Sequence, residues 1–316
     1  MHRIGYLLGD RFQVMALASQ SVFEYANIAA GETFYSIENF SVAGGEVRSS
    51  LGMAVGTRPL GGRMGIDTWI AAGVNNPLTA PPSAEVLKFL RKAAMRARRI
   101  AGICTGGFVL AEAGLLANRR ATTHWAYARE MMGRFPDIQL DEDRIYVVDG
   151  PIWTSAGMTA GLDLALGMVE KDLGADIARS VAHKLVMHQR RSGGQSQHSE
   201  MLDLAPRSDR IQDALNYARK HLSRPLTVEE LASQAHLSPR QFSRVFTLET
   251  GQSPAKAIEG LRLEAARLMI EKSRHSLEVI AKETGFRDRR HMREVFMRGF
   301  GVPPREMRRE ARPGER

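Results

Sequence analysis

A repeat in the last third of the 316-residue sequence constrains the fold more than any other feature. The repeated elements are Val228-x-x-Leu231-Ala232 with Leu277-x-x-Ile280-Ala281, and Val245-Phe246, Gly251 and Pro254 with Val295-Phe296, Gly301 and Pro304. The offset is 49 residues for the early elements and 50 for the late ones, so the second copy has one extra residue. Self-similarity at a fixed period indicates two copies of one supersecondary unit.

Each copy is predicted to be a helix, a tight turn and a second helix. Strand signals end after Asp209, and Pro, Gly or a capping Ser or Thr separates seven helical segments. These segments lie near 209–222, 227–235, 238–249, 254–272, 276–283, 287–298 and 303–310. The second helix of each copy has a cap at its start, Ser238-Pro239 in the first copy and Arg287-Asp288 in the second. This is a helix-turn-helix pattern, whose second helix can enter a DNA major groove, although helical hairpins can also simply pack together.

The outward positions of these second helices favour DNA binding. They are Arg240, Gln241, Ser243 and Arg244 in the first copy and Arg289, Arg290, His291 and Arg293 in the second. Arginine binds guanine or phosphate with two parallel hydrogen bonds. Residues 209–316 hold 22 basic against 15 acidic residues, whereas the rest holds 22 against 20. The excess positive charge in the last third indicates a polyanionic partner, with a merely solvated basic surface as the alternative.

The first 190 residues alternate short apolar runs with segments of helical periodicity. The apolar runs are 4–8, 34–42, 68–72, 99–103 and 145–148, and the clearest helical segments are 83–98 and 162–173. Such alternation predicts an α/β domain with a flavodoxin-like, largely parallel sheet flanked by helices. We therefore predict an α/β domain over 1–190, a linker rich in Gly, Ser and Gln over 191–208, and an all-α domain with two helix-turn-helix motifs over 209–316.

The single cysteine lies in AGICTGGFVLAEAGLL, at a predicted turn from strand to helix. Free N–H groups at the start of a helix can lower the pKa of a thiol and can bind an anion. Cys104 could therefore be a nucleophile, a residue of a ligand pocket, or a small buried apolar residue.

Several classes of protein are disfavoured by composition. One cysteine rules out an internal disulfide, no amino-terminal stretch has the pattern of a signal peptide, and no apolar run approaches the roughly 20 residues of a membrane span. We expect a cytoplasmic protein without a membrane segment. The nine histidines show no metal-binding spacing and no phosphate-binding glycine loop occurs, so no metal and no cofactor are expected.

Residues 211–309 resemble the DNA-binding domain of the AraC/XylS family of bacterial transcription regulators. The resemblance lies in LASQAHLSPRQFSRVFTLETGQSP, RLEAARLMI and IAKETGFRDRRHMREVFMRGFGVPP. It implies two recognition helices, Pro239 to Thr247 and Asp288 to Met297, held by a long helix from Pro254 to Lys272. One chain would then read two successive major-groove segments of double-stranded promoter DNA. Glu294 departs from the basic or polar residue common in the family; it can accept from a cytosine or hold Arg290 or Arg298.

The first 190 residues resemble the class I glutamine amidotransferase-like superfamily, which includes PfpI-type proteins. The matching segments are RIGYLL, DTWIAAG, AGICTGGFVLAEAGLL, ATTHWA and TSAGMTAGLDLALGMVEKDLG. Joined to an AraC-type domain, they resemble GlxA-like regulators. The resemblance implies an activator of catabolic genes that senses a small metabolite such as an amino acid or a quaternary amine, forms a homodimer and contacts RNA polymerase.

The residues around Cys104 argue against catalysis. PfpI-type enzymes place histidine after the cysteine, where this chain has Thr105, and our alignment puts Met15 at the position of the acidic residue. His124 remains as a partner for the thiol, but without a visible acid. We therefore expect a non-enzymatic ligand site, with N–H groups that hold a carboxylate and a tryptophan, Trp125 or Trp153, that faces a cationic amine. Its expected residues are Gly73, Cys104, Thr105, Gly106, His124 and Trp125; an enzyme using Cys104 is the alternative.

Overall fold

A computed structural model describes residues 1–61, 64–187 and 208–311, together with Gly193, Gln197, Leu204 and Pro206. The chain forms two compact units, Met1–Gln197 and His198–Arg316. The predicted linker over 191–208 lies almost entirely outside the described residues. No helix in the described ranges has the length and apolar character that a membrane crossing requires.

The first unit is built on one eight-stranded sheet. Its strands are β1 His2–Leu7, β2 Tyr35–Ser41, β3 Gly45–Arg48, β4 Ala54–Pro59, β5 Thr68–Ala72, β6 Arg99–Ile103, β9 Tyr146–Asp149 and β10 Ile152–Ser155. Their order is β3-β4-β2-β1-β5-β6-β10-β9, and a separate two-stranded sheet pairs β7 Arg120–Ala121 with β8 Gln139–Leu140. The six central strands are parallel, and β3 and β9 pair antiparallel at the two edges. The predicted, largely parallel α/β sheet is confirmed.

Helices cover both faces of this sheet. They are α1 Gln20–Ala30, α2 Ala84–Ala94, α3 Gly106–Glu112, α4 Ala128–Arg134, α5 Met158–Leu173 and α6 Ala175–Lys184, with 3-10 turns at Val14–Ser19 and Trp125–Tyr127. All five residues of β5 and of β6 are buried, because helices cover the sheet on both sides. Ile70 belongs to the core beneath α1, α5 and α6, whereas its neighbour Trp69 belongs to the core beneath α2 and α3.

A buried ion pair closes the amino-terminal edge of the sheet. Arg99, the first residue of β6, binds Oδ2 of Asp172 near the end of α5, and their side chains are 4% and 0% exposed. The hydroxyl of Tyr35 donates to the same oxygen at 3.0 Å. The carboxylate therefore ties α5 to two strands, at the edge opposite to the turn that holds Cys104.

The second unit is all α-helical within its described residues. Its helices are α7 Asp209–Lys220, α8 Val228–Gln234, α9 Pro239–Thr250, α10 Pro254–Lys272, α11 Leu277–Glu283, α12 Arg289–Phe300 and α13 Pro304–Ala311. Each repeat has its own hydrophobic core, and α10 contributes to both: Leu261 packs in the first core and Ile270 in the second. The long helix thereby fixes one helix-turn-helix relative to the other.

The two turns differ as the repeat offset predicts. His236 and Gly285 occupy equivalent positions with φ of 53° and 77°. At position 285 a Cβ atom would lie 1.8 Å from the carbonyl oxygen of Leu222, so only glycine fits. The extra residue of the second copy is Arg287, which precedes the cap of α12.

Candidate functional site

The second helix of the first repeat, α9, presents two arginines to solvent. Phe242 and Phe246 are buried on the inner face, which leaves Arg240 and Arg244 exposed on the outer face. Neither arginine has an ion pair within the described ranges. Both guanidinium groups are therefore available to an anionic partner.

Gln241 helps to cap the start of this helix. The side-chain oxygen of Ser238 accepts from the backbone N–H of Gln241, and Oε1 of Gln241 accepts from the hydroxyl and the N–H of Ser238. This capping box satisfies donors at the start of α9. The amide Nε2 of Gln241 is left as the group that can reach DNA.

The equivalent helix of the second repeat, α12, carries arginines that are mostly paired. Arg289 lies 3.2 Å from a carboxylate oxygen of Glu278, and Arg290 lies 3.1 Å from Glu294. Arg293 is exposed and has no ion pair among the residues that the structure describes. The sequence left Arg290 and Arg298 as possible partners of Glu294. In the structure Glu294 pairs with Arg290, and Arg298 pairs with Glu259 at 2.9 Å.

The start of α12 is fixed by Asp288. Its carboxylate accepts from the backbone N–H of His291 at 2.7 Å, and this hydrogen bond lowers the pKa of Asp288. The ring of His291 is half-buried, lies 5.6 Å from that of Phe286, and accepts from the N–H of Arg287. The imidazole thus faces the turn and is less outward than the sequence suggests; Ser243 on α9 is also half-buried.

In the first unit, Cys104 lies on a sharp turn between β6 and α3. Its φ is 57°, a left-handed conformation that is rare outside glycine. Its N–H donates to the carbonyl of Ser155 at 3.1 Å, and its own carbonyl accepts from the hydroxyl of Thr123 at 3.2 Å. The predicted strand-turn-helix geometry is therefore present.

The burial and the raised pKa of the Cys104 thiol disfavour nucleophilic chemistry. Cys104 is 2% exposed, and burial raises its pKa to about 11. A hydrogen bond to the backbone of Thr105 opposes this shift only in part. The reactive species is the thiolate, which such a thiol rarely forms at neutral pH.

The two positions expected to activate the thiol of Cys104 are those of His124, as the base, and Met15, as the acid. Nδ1 of His124 accepts from the N–H of Ala126 at 3.2 Å, so this nitrogen is already hydrogen-bonded within its own loop. Met15, at the position expected for the acid, is 46% exposed and carries no acidic group. No carboxylate is among the groups that shift the pKa of Cys104 within the described residues.

The backbone is closely packed at the expected cradle for a carboxylate. A Cβ on Gly73 would lie 2.1 Å from Oγ1 of Thr105 and 2.6 Å from the N of Gly106. A Cβ on Gly106 would lie 2.2 Å from the carbonyl oxygen of Ala71. The hydroxyl of Thr105 donates to the carbonyl of Val74 at 2.6 Å. These glycines therefore allow close packing of two loops.

An open cavity of about 1100 Å³ lies beside this turn, at the carboxyl ends of the parallel strands. Thr105 is the one residue of the six expected ligand contacts that lines it, next to Phe108 and Val109 of α3. The cavity is also lined by charged residues after β1 and on β3: Asp10, Arg11, Glu46 and Arg48. Ligands of open α/β sheets bind at this edge. A second cavity of about 890 Å³ along α2 contains none of the six residues.

Arg11 and Arg48 were missed by sequence reasoning. The signal for Arg11 is its position shortly after β1, because residues that follow parallel strands gather at one sheet edge. The signal for Arg48 is absent, since it lies on an edge hairpin with no apolar alternation. Arg11 also adopts a left-handed conformation, with φ of 57°.

His124 and Trp125 lie on the adjacent loop. The two rings are 5.7 Å apart; His124 is half-buried, whereas Trp125 is 54% exposed. The backbone N–H of Trp125 donates to Oε1 of Gln197 at 2.9 Å. Trp153, the other expected tryptophan, is 3% exposed and packs against Arg99 near the opposite edge, so it does not face this cavity. No group of three potential metal ligands occurs in the described part of the chain.

The chain resembles known proteins in both units. Residues 231–310 match the family profile described as "Helix-turn-helix domain", and residues 69–171 match that of the "DJ-1/PfpI family". Over 322 residues the chain is 33% identical to the "HTH-type transcriptional regulator GlxA" of Rhizobium meliloti (strain 1021), which covers 98% of this chain and 97% of that protein.

Two further likenesses concern the first unit. The "AraC family transcriptional regulator from Pseudomonas putida" superposes with a TM-score of 0.54 and 21% identity, over 58% of this chain and 100% of that one. Over 101 residues the chain is 42% identical to "Isonitrile hydratase" of Pseudomonas putida, a segment that covers 32% of this chain and 43% of that protein. The structural likeness shows the fold, and the second shows that a related domain occurs in an enzyme.

Proposed function

Because the chain belongs to the AraC/XylS family of transcription regulators, in the group with a PfpI-type amino-terminal domain, we propose that it binds promoter DNA sequence-specifically in response to a small metabolite. The main support for this proposal is the pair of capped helices, α9 and α12, each with exposed arginines on its outer face. Arginines in that position suit guanine edges and phosphates. We further propose that the regulator activates catabolic genes, contacts RNA polymerase and, since its partner is the chromosome, acts in the cytoplasm.

Each chain is proposed to read two successive major-groove segments. Consecutive segments on one face of B-DNA are about 34 Å apart, and α10 joins the two cores that carry α9 and α12. Hydroxyl-radical footprinting of the DNA upstream of the regulator's own gene tests this directly. Protection of two backbone segments one helical turn apart per half-site is expected, and a single protected segment would contradict it.

A homodimer is the proposed assembly. A pair of chains would protect two copies of this half-site, in direct or inverted orientation. Sedimentation velocity distinguishes the pair from the 35.0 kDa chain. Only the mass of one chain at micromolar concentration would count against it.

The proposed effector site is the cavity at the carboxyl ends of the strands. Thr105 forms part of its wall, while Gly73, Cys104 and Gly106 hold Thr105 in place through the close packing described above. His124 and Trp125 stay proposed contacts from the neighbouring loop, because a tryptophan face suits the cationic amine of an amino acid or a quaternary amine. Arg11 and Arg48 are added as groups that can bind a carboxylate.

A thermal-shift screen with arginine, glycine betaine and carnitine tests this site. Ala43 is exposed and lines the cavity, so Ala43→Trp should fill it and remove any ligand-induced rise in Tm. Ala175 is exposed at the start of α6 and does not line the cavity, so Ala175→Trp is the matched control. Equal ligand shifts in both variants would place the effector elsewhere. A bulky substitution at Gly106, such as Gly106→Leu, would not test the cavity, because any side chain there meets the backbone of Ala71.

We propose that the regulator does not catalyse a reaction. The similarity to isonitrile hydratase favours the alternative, an amidotransferase-like enzyme that uses Cys104. The buried, protonated thiol and the absence of a carboxylate among the groups acting on it, within the described residues, argue against it. A sensor also has to release its ligand unchanged. A covalent thiol adduct, seen by mass spectrometry after incubation with the metabolites above, would support the enzyme.

A further inference from the structure

Gln197 joins two loops of the first unit. Its Oε1 accepts from the N–H of Trp125 at 2.9 Å, and its Nε2 lies 2.9 Å from the carbonyl oxygens of both Thr123 and Glu142. Its own N–H donates to the carbonyl of Asp143 at 2.7 Å. An amide has two N–H donors and one carbonyl acceptor, so these contacts use the whole functional group.

The loop that Gln197 binds is also attached to the turn at Cys104. The hydroxyl of Thr123 donates to the carbonyl of Cys104 at 3.2 Å. The N–H of Thr122 donates to the hydroxyl of Thr154 on β10 at 2.9 Å, and its own hydroxyl donates to the carbonyl of Arg144 at 2.8 Å. Thr122 and Thr123 are fully buried. A displacement of this loop therefore changes the hydrogen bonds of Cys104 on one side and of Gln197 on the other.

Gln197 is also the last residue of the first unit, and the second unit begins at His198. The position of Gln197 depends on the loop, and the chain continues from Gln197 to the helices proposed to bind DNA. Without the Gln197 amide, the N–H of Trp125 and the carbonyls of Thr123 and Glu142 would lose these hydrogen bonds. We therefore expect Gln197 and the loop to move as one group.

We propose that Gln197 is the positioning residue that couples residues 122–125 to the DNA-binding unit. This inference rests on the proposed function. A ligand that favours one arrangement of the loop would set where the connection to the second unit starts, and so change the affinity for DNA. Coupling free energies are reciprocal, so DNA binding must also change the loop.

Reciprocity permits a test that needs no effector. Trp125 is 54% exposed while Trp69 and Trp153 are each 3% exposed, so acrylamide quenching of tryptophan fluorescence reports mainly on Trp125. The full chain is titrated with a duplex from its own upstream region, and quenching is measured with and without DNA. The comparison includes wild type, Gln197→Ala, Gln197→Glu, and Gln139→Ala. Gln139 is exposed on β8 and its side chain has no hydrogen bond in the described ranges, so it is the matched control.

We expect DNA to change the quenching constant in wild type and in Gln139→Ala, and the change to be lost in Gln197→Ala. Gln197→Glu should lose it too, because a carboxylate would face the carbonyl oxygens of Thr123 and Glu142. The inference is overturned if DNA binds but leaves wild-type quenching unchanged, or if both Gln197 variants respond as wild type does. Failure of the wild-type chain to bind DNA would overturn the proposed function, and with it this inference. Unfolding midpoints within a few degrees of wild type establish that the variants are folded.

Discussion

A carboxylate oxygen of Glu294 lies 3.1 Å from Nε of Arg290, one helical turn away on α12. An arginine that is proposed to contact DNA is therefore already paired with a carboxylate of its own helix. Arg289 is similarly held by Glu278, whereas Arg240 and Arg244 on α9 have no ion pair in the part of the chain that the structure describes. The two helices of the repeat thus carry unequal free positive charge, although their backbones are equivalent.

The first prediction is that Glu294→Gln strengthens DNA binding. An exposed helical ion pair contributes about 0.3–0.5 kcal/mol, and its removal frees Arg290 while also deleting a negative charge near the phosphates. We expect a gain in affinity of about two- to fivefold by fluorescence anisotropy at low salt. Glu283→Gln, at an exposed position on α11, is the control. Weaker binding by Glu294→Gln alone would show that Glu294 itself contacts DNA, and unchanged binding would show that its pairing with Arg290 does not limit the affinity.

A second prediction concerns α9. Arg240→Ala or Arg244→Ala should cost about 1–3 kcal/mol on the specific site and relax one base position, because a bidentate base contact is worth about that much. Competition binding against single-base variants of the duplex measures both effects. Arg219→Ala, exposed on α7, should leave binding within about twofold of wild type. An equal loss on specific and scrambled duplexes would identify the two arginines as phosphate contacts only.

The third prediction is slow, strongly pH-dependent alkylation of Cys104. A thiol reacts as the thiolate, so the rate rises with pH until the pKa is passed. With the pKa raised from 9.0 to about 11, the rate in the folded chain should still be rising above pH 10. The same chain unfolded in urea should reach half of its maximal rate near pH 9, because an unburied thiol has its ordinary pKa of 9.0. Because the chain has a single cysteine, mass spectrometry after iodoacetamide reads both directly, and a folded plateau below pH 8 would contradict the account.

The fourth prediction is that Asp172→Asn destabilises the first unit. Removing one charge of a buried pair leaves the other uncompensated, which costs about 3–5 kcal/mol. Here Arg99 would be left 4% exposed beside a neutral amide. Asp176→Asn removes a carboxylate that is 93% exposed in its pair with Arg179, and should change stability by less than about 1 kcal/mol. Urea unfolding followed by fluorescence of the buried tryptophans compares the two, and equal midpoints would be the contrary result.

The sequence predicted the fold where one physical signal dominates. The fully buried central strands read as continuous apolar runs, so β5 and β6 were predicted to the residue. The repeat and the caps at Ser238 and Asp288 also follow from residue types that helix starts require. In contrast, the edge hairpin of β3 and β4 is mostly exposed and shows no such run.

The candidate sites depended on contacts between distant segments, which the sequence does not display. Pattern alone placed Gln241 and His291 outward, but one belongs to a capping box and the other bonds to its turn. The glycines at 73 and 106 suggested an anion cradle, yet they are required for loop packing. Gln197 had no signal at all, because its partners lie more than 50 residues away in sequence.

Salt-dependent binding of the full chain to its own upstream DNA tests the central claim most directly. Anisotropy titrations are made with the upstream duplex and a scrambled duplex between about 50 and 200 mM salt. We predict tighter binding to the upstream duplex at every salt concentration. We also predict a fall in affinity of about 10³-fold or more over this range, as expected for a protein that contacts six or more phosphates. Equal affinity for both duplexes, or affinity that does not change with salt, would contradict the assignment of α9 and α12 as DNA-reading helices.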